Sequence, residues 1–114
     1  MQLAIVMQWE GIKPGHGQAG VANAMRGFEL LAKWQEEGKI LSQRTYLGMQ
    51  RSSGFSIVTV EQEHVRDFVL DPEFAAFDTE AAMLSDNWQW NLFLPDDQAQ
   101  EALQAWAATA AALA

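Results

Sequence analysis

Apolar residues alternate with other residues at the start of the chain, as they do in a β-strand. Between Leu3 and Glu10 one face of such a strand is apolar throughout, with Leu3, Ile5, Met7 and Trp9. The opposite face is only half polar, because Ala4 and Val6 interrupt it. The pattern predicts a central strand whose second face is also partly covered.

Residues 18–37 follow a helical period instead. Their main apolar stripe consists of Val21, Ala24, Met25, Phe28, Leu31 and Ala32. Gly38 comes next, and a glycine in that place commonly ends a helix. Leu30 and Trp34 lie four residues apart and off the stripe, so the sequence predicts a second apolar ridge. Another helix or a partner subunit is expected to cover that ridge.

A hairpin of two strands is predicted after this helix. Residues 43–50 form the outgoing strand, 51–54 the polar turn and 55–61 the return strand. The return strand is apolar on both faces, which is typical of a central strand. The outgoing strand mixes polar and apolar residues, which suits a sheet edge, and it carries Arg44 and Tyr46 on one face.

The second half of the chain predicts two helical regions, one strand and a final helix. Residues 64–70 form a short helix, and Asp71 then caps a new one that begins at Pro72. Residues 87–94 form the fourth strand. The Ala-rich residues 97–114 form a C-terminal helix whose start is acidic, as the helix dipole favours.

This order of elements predicts a fold. Strand, helix, strand, strand, helix, strand is the ferredoxin-like α+β arrangement, βαββαβ, with both main helices on one face of a four-stranded antiparallel sheet. Residues 1–114 form one domain, whose C-terminal helix is expected to strengthen a dimer or to cover Leu30 and Trp34. The other sheet face, with Ala4, Val6 and Val58 or their neighbours, is expected to pair with a second copy in a homodimer.

Composition and charge argue against several classes of function. The 114 residues are 49% hydrophobic and carry a formal net charge of −8, so nucleic acid and anionic membranes are not expected partners. The chain has no Cys, which excludes disulfides and thiolate zinc sites. No apolar run is long enough to span a bilayer and no signal peptide is recognisable, so a cytoplasmic location is predicted.

Residues 11–20 are rich in glycine and predict a flexible loop. They contain a G-x-G-x-x-G spacing from Gly15 to Gly20, which can hold a pyrophosphate at a helix N-terminus. Four residues separate the motif from the strand, however, and no acidic residue ends a second strand as the dinucleotide fold requires. A loop is therefore favoured over a dinucleotide site, and no cofactor is predicted. The two histidines lack metal-ligand spacing, so no metal is predicted either.

The layout of the chain resembles the dimeric α/β-barrel superfamily, and within it YCII-related and muconolactone-isomerase-like proteins. The stretches that carry the resemblance are 37–40 (EGKI), 53–58 (SGFSIV) and Asp71-Pro72. YCII-related proteins pair a similar Asp with a His in the first helix, whereas this chain has no His between Gly17 and Ile40. The resemblance implies a dimeric barrel; the superfamily spans monooxygenases, isomerases and mutarotases, so it selects no single reaction.

Two residues are candidates for catalysis, each with a plainer alternative. His16 lies between glycines in a loop, a good place for a mobile acid or base, although a lone loop histidine is more often solvated. Asp71 could act as a base, but an Asp-Pro pair is an ordinary helix start.

Four further residues are candidates for ligand binding. Arg44 and Tyr46 could hold a carboxylate or carbonyl at a pocket rim, or belong to a surface ion pair and a dimer interface. Trp9 and Trp90, together with Trp88, could line an apolar cavity between sheet and helices, or fill it.

Two hypotheses about function follow. The first is a dimer that binds a small apolar molecule between sheet and helices. The alternative is a cofactor-independent isomerase or monooxygenase acting on a small carbonyl or phenolic substrate. A cavity reached by at least two of His16, Arg44, Tyr46 and Asp71 would favour the enzyme, and one filled by Trp and Phe would favour a binding or structural role.

Overall fold

Four strands form an antiparallel sheet in the computed structural model, which describes residues 1–113. Two further short strands pair with each other outside this sheet. In chain order all the strands are β1 (Gln2–Trp9), β2 (Gly11–Ile12), β3 (Ser42–Leu47), β4 (Gly54–Glu61), β5 (Ser85–Asp86) and β6 (Gln89–Phe93). The sheet has the order β3-β4-β1-β6, and every neighbouring pair in it is antiparallel. The predicted βαββαβ topology is confirmed, with β1 and β4 central and β3 at an edge.

The helices lie on one face of this sheet or extend from it. They are α1 (Gly17–Glu36), α2 (Val65–Val69), α3 (Pro72–Leu84) and α4 (Asp96–Leu113), with a 3₁₀ turn at Gln62–His64. None of these helices is both long and apolar enough to cross a membrane.

Two predicted helix boundaries are confirmed with their physical cause. Gly38 adopts a positive φ of 78° after α1, which lets the amide of Lys39 donate back to the carbonyl of Trp34 at 2.9 Å. Asp71 caps α3, since its Oδ1 accepts hydrogen bonds from the amides of Glu73 at 2.8 Å and Phe74 at 3.3 Å.

The hydrophobic core lies toward the start of β1 and the end of α1. Trp34 is its largest fully buried side chain, only 1% exposed, with its ring centroid 4.6 Å from that of Phe68 in an edge-to-face contact. Phe74 packs against both. The cluster consists of Ile5, Met7, Leu30, Leu31, Trp34, Ile40, Val58, Val60, Phe68 and Phe74.

The predicted main stripe of α1 is wrong in its first half, whereas the prediction that another helix covers Leu30 and Trp34 is confirmed. Leu30 and Trp34 belong to the core and are covered by residues of α2 and α3, not by the C-terminal helix. Val21 and Met25, assigned to the main stripe, are more than half exposed. The buried stripe is centred on small or polar residues in its first half, so hydrophobicity alone placed it on the wrong side of the helix. Its members are Gly20, Asn23, Gly27, Leu30, Leu31 and Trp34.

The stretch predicted as a flexible loop contains a short strand. Backbone pairing joins Gly11 to Asp86 and Ile12 to Ser85, so β2 and β5 form a second, two-stranded sheet. A Cβ atom on Gly20 would lie 2.5 Å from Cγ2 of Ile12, which is why α1 can approach β2 closely only with glycine there. This last glycine of the motif therefore serves packing.

The sheet face away from the helices is open and largely apolar. Strand register places Val6 between Ile57 and Asn91, and Tyr46 beside Phe55. The rings of Tyr46 and Phe55 stack with centroids 4.9 Å apart, and Phe93 is half exposed on the same face. Val58, which was expected on the open face, instead points into the core.

Helix α4 projects from the rest of the molecule. None of its residues is buried. The radius of gyration is 16.4 Å, whereas a globular chain of this length has one of about 13 Å. The expectation that this helix covers Leu30 and Trp34 is therefore wrong for the single chain. Its observed bounds, Asp96–Leu113, agree with the predicted 97–114 except for Ala114, which lies outside the described residues.

Candidate ligand-binding cavity

A cavity of about 290 Å³ lies between α1 and the sheet, toward the end of β1 and away from the core. It exists because the first half of α1 presents small residues to the sheet. The helix contributes Gly20, Ala24 and Gly27, while Trp9 and Trp88 form walls on the sheet side.

Aromatic side chains shape the walls, and their polar atoms are already bonded. The indole N–H of Trp9 donates to the carbonyl of Ser52 at 2.9 Å, and that of Trp88 donates to Oδ1 of Asp78 at 2.6 Å. The rings of Trp9 and Trp88 lie 6.1 Å apart, and Phe77 meets Trp88 edge-to-face at 5.5 Å. With both N–H groups occupied, these residues offer apolar ring surface to a ligand.

Asn23 is the polar group most enclosed at the cavity, at 4% exposure. Its Nδ2 donates to the carbonyl of Phe77 at 3.4 Å and to Oε1 of Glu80 at 3.3 Å. Both partners can only accept, which fixes the orientation of the amide. The Oδ1 atom accepts no hydrogen bond from residues 1–113, so it can accept one from water or from a ligand.

A second polar group is a hydroxyl pair on the sheet. Thr45 and Ser56 are register partners on β3 and β4, and their hydroxyl oxygens lie 2.7 Å apart. Either hydroxyl can be the donor. One hydrogen therefore stays available to a ligand or to a neighbouring carbonyl.

The charge of the cavity differs from that of the whole chain. No Asp or Glu is among the described residues that line it, and Arg51 lines it from the β3–β4 turn. The lining is otherwise uncharged and mostly apolar, which suits an aromatic ring with an oxygen substituent.

The mouth of the cavity lies between α1 and β3. Val21, Met25, Phe28 and Leu47 line the cavity and are also exposed. We call these four residues the mouth residues. Their apolar side chains face solvent in the single chain.

Two ion pairs join α1 to α3 outside the cavity. Arg26 pairs with Glu80, the same carboxylate that accepts from Asn23. Lys33 donates to Oε1 of Glu73 at 2.9 Å, and this hydrogen bond raises the pKa of Lys33. Both pairs are exposed to solvent, so each is expected to contribute little to stability.

The structure does not bring the six predicted site residues together. Only Trp9 lines the cavity. His16 is exposed and precedes the first turn of α1, and Asp71 caps α3 near the core. Arg44 and Tyr46 lie on the open sheet face, with the guanidinium 6.0 Å from the centroid of the tyrosine ring. Trp90 packs edge-to-face on Phe74 at 5.6 Å.

The criterion stated for an enzyme is thus not met, since none of His16, Arg44, Tyr46 and Asp71 lines the cavity. The cavity is nevertheless open rather than filled. The roles of these four residues in a functional site stay predictions, because none of the four contacts this cavity.

Sequence reasoning missed Asn23 because a polar residue within an amphipathic helix suggests a solvated face. A signal was present, however. Gly20, Asn23 and Gly27 recur at helical spacing in line with Leu30 and Trp34, and small residues at such spacing indicate close approach of another element.

No protein-family model matches the chain, and no curated protein is significantly similar to it in sequence. Solved structures do match it. SnoaB, a cofactor-independent oxygenase from Streptomyces nogalater, is 14% identical over 84% of this chain and 94% of its own, with a TM-score of 0.64. Rv0793 from Mycobacterium tuberculosis is 11% identical over 85% and 97%, with a TM-score of 0.69.

A third match is a dimeric protein of unknown function and ferredoxin-like fold from Bacteroides fragilis. It is 9% identical over 81% of this chain and 94% of its own, with a TM-score of 0.60. The fold of this chain is ferredoxin-like. At such identities the similarity establishes the fold alone, and the likeness to YCII-related or muconolactone-isomerase-like proteins stays a prediction.

Proposed function

We propose that this chain forms a homodimeric α/β barrel in which each copy binds a small, mostly apolar molecule between α1 and the sheet. The observation that carries the proposal is the open cavity of about 290 Å³ with aromatic walls. Ligand sites in proteins start at about 300 Å³, so the ligand is expected to contain one or two fused rings.

The polar groups of the cavity narrow the chemistry of this ligand. Oδ1 of Asn23 needs a donor, which a phenolic hydroxyl supplies. Arg51 adds positive charge near the turn, which favours an electron-rich oxygen. A small phenol-type molecule satisfies both groups, and its rings match the walls of Trp9 and Trp88.

Binding of 1-naphthol tests this function. Under argon, isothermal titration calorimetry is expected to show binding to the natural chain. Ala24→Phe is expected to weaken that binding at least about tenfold, because a benzyl group would occupy the space of the ligand. Ala22→Phe is the matched control, since Ala22 lies exposed on the same helix and does not line the cavity. No binding by the natural chain, or equal loss in both variants, would contradict the proposal.

A second candidate function is a cofactor-independent monooxygenase acting on a phenolic molecule. The similarity to SnoaB, described as a cofactor-independent oxygenase, favours it. In such a reaction O₂ serves as oxidant and oxygen donor: 1-naphthol and O₂ would give 1,4-naphthoquinone and water. Repeating the titration in air while measuring dissolved O₂ separates the two functions. Only the enzyme would consume one O₂ for each 1-naphthol that reacts.

The proposed dimer uses the open sheet face. Phe55, Ile57 and Phe93 are exposed there, and an exposed apolar surface of this kind usually marks association. An isologous contact would bury the same strip from both copies. The Bacteroides fragilis protein, which shares the fold, is described as dimeric.

Sedimentation at micromolar concentration is expected to show a dimer. Ile57→Asp should shift it toward the monomer, raising the dissociation constant at least about tenfold, since the new charge would be buried at the contact. Met83→Asp is the control, because Met83 is exposed on α3, away from the sheet face. A monomeric natural chain, or equal dissociation of both variants, would rule out this dimer.

A further inference from the structure

Helix α4 has an apolar side that is largely uncovered in the single chain beyond Ala102. Leu103 is 59% and Trp106 64% exposed, and Leu113 lies on the same side of the helix. Most of the stability of a helix in a protein comes from packing of its apolar face. A Trp and two Leu on one side therefore indicate a docking partner.

The mouth residues form a second uncovered apolar surface. They line the gap between α1 and β3 through which the cavity opens. Val21, Met25 and Leu47 are each more than half exposed. A ligand bound in the single chain would leave part of its own apolar surface in water.

The topology places the chain's own α4 far from its own mouth. Helix α4 follows β6, and β6 and β3 are the opposite edges of the sheet, three strand spacings or about 14 Å apart. When two sheets pack face to face about a two-fold axis parallel to the strands, β6 of one copy lies opposite β3 of the other. The partner's α4 then starts beside this copy's β3.

The length of the helix matches the distance to be covered. It begins near the strand end opposite the cavity, because Phe93 pairs with Ala4. Eighteen helical residues span about 27 Å, and the eight residues of β1 span about 26 Å. A helix running back along the partner's edge can therefore reach the mouth.

Charge permits this contact between two acidic copies. Residues 102–114 contain no charged side chain, although the chain as a whole carries −8. The acidic residues of α4, Asp96, Asp97 and Glu101, all lie in its first two turns. The part that would dock thus adds apolar surface without repulsion.

From these observations we infer that the partner copy's α4 lies across the mouth residues and that its Leu103 and Trp106 complete the wall of the ligand cavity. This rests on the proposed homodimer and its ligand cavity. Each ligand site is then built from two copies, because the α4 helix of each copy docks on the other copy.

A disulfide tests the placement, and the absence of natural cysteines keeps the test clean. The double variant Met25→Cys/Leu103→Cys is expected to oxidise to a covalent dimer on a non-reducing gel. Met25→Cys/Ala108→Cys is the control, since Ala108 lies on the opposite side of α4. A disulfide within one chain, none at all, or equal yields from both variants would overturn the inference.

Ligand affinity tests the contribution to the site. Trp106→Asp is expected to weaken 1-naphthol binding at least about fivefold without dissociating the dimer, whereas Ala108→Asp should change it little. Unchanged affinity in Trp106→Asp would overturn the inference and leave the proposed function standing. If the natural chain binds no 1-naphthol, the proposed function fails, and the disulfide result alone decides whether α4 docks at the mouth.

Discussion

Replacing Trp34 by alanine is expected to lower the free energy of unfolding by about 3–5 kcal/mol. The side chain is almost fully buried and contacts Phe68 and Phe74 through its ring. Its removal would leave a cavity at the point where α1, α2 and the start of α3 meet, and three separate elements cannot easily collapse into it. Urea unfolding at one fixed protein concentration measures the loss.

The control for this prediction is Met83→Ala on α3. Met83 is large, apolar and exposed, so its truncation is expected to change the free energy by no more than about 0.5 kcal/mol. If the two variants lost equal stability, Trp34 would not be the centre of the core. The comparison also tests the corrected assignment of α1, because the sequence alone placed Trp34 on a side ridge.

The sequence predicted the strands of the sheet correctly because a strand can be recognised from the alternation of individual apolar residues. Leu3, Ile5, Met7 and Trp9 alternate, and the structure turns all four toward the helices. Along β1 this alternation leaves little ambiguity about which face is buried, whereas β4 is apolar on both faces and Val58 was expected on the wrong one. The order of the elements then restricted the topology to very few choices.

The apolar pattern of α1 did not predict the buried face of this helix, and the reason is also physical. Burial there depends on how closely two backbones approach, and Gly20 and Gly27 permit close contact with Ile12 and Phe77 without being hydrophobic. The two-residue strands β2 and β5 carry no periodicity at all. Such features depend on the partner element and are not visible in the helix or loop sequence by itself.

The two halves of α1 have different roles, one in the stability of the fold and the other in the ligand cavity. Its second half contributes Leu30, Leu31 and Trp34 to the core. Its first half contributes small residues, and the space that they leave is the cavity. The same helix therefore stabilises the fold at one end and leaves room for a ligand at the other, and Asn23 lies in the half with the ligand.

Asn23→Asp is expected to lower the free energy of unfolding by about 3–5 kcal/mol at pH 8. The substitution keeps the shape of the side chain but replaces its donor by a negative oxygen. That oxygen would face the carbonyl of Phe77 and the carboxylate of Glu80, the two acceptors that Nδ2 now contacts. Arg26 already pairs with Glu80 and offsets only part of the repulsion.

This loss is expected to shrink as the pH falls. Burial and the nearby Glu80 both raise the pKa of the new carboxyl in the folded state, while its unfolded value stays near that of a free Asp. The folded protein then binds the proton more tightly than the unfolded chain, so stability is regained as the pH drops through the folded pKa. Urea unfolding at pH 8 and pH 5, each against the natural chain at the same pH, measures the difference.

Asn87→Asp is the matched control for this pH dependence. The Nδ2 atom of Asn87 also donates to a carboxylate, that of Glu10 at 2.8 Å, but the contact is exposed to solvent. Because water screens the new charge, Asn87→Asp is expected to lower the free energy of unfolding by about 1 kcal/mol or less at both pH values. Equal losses in the two variants, or a loss in Asn23→Asp that does not change with pH, would show that the Asn23 amide is solvated. It would then be no anchor for a ligand, since only an enclosed acceptor discriminates for a donor on the molecule that it binds.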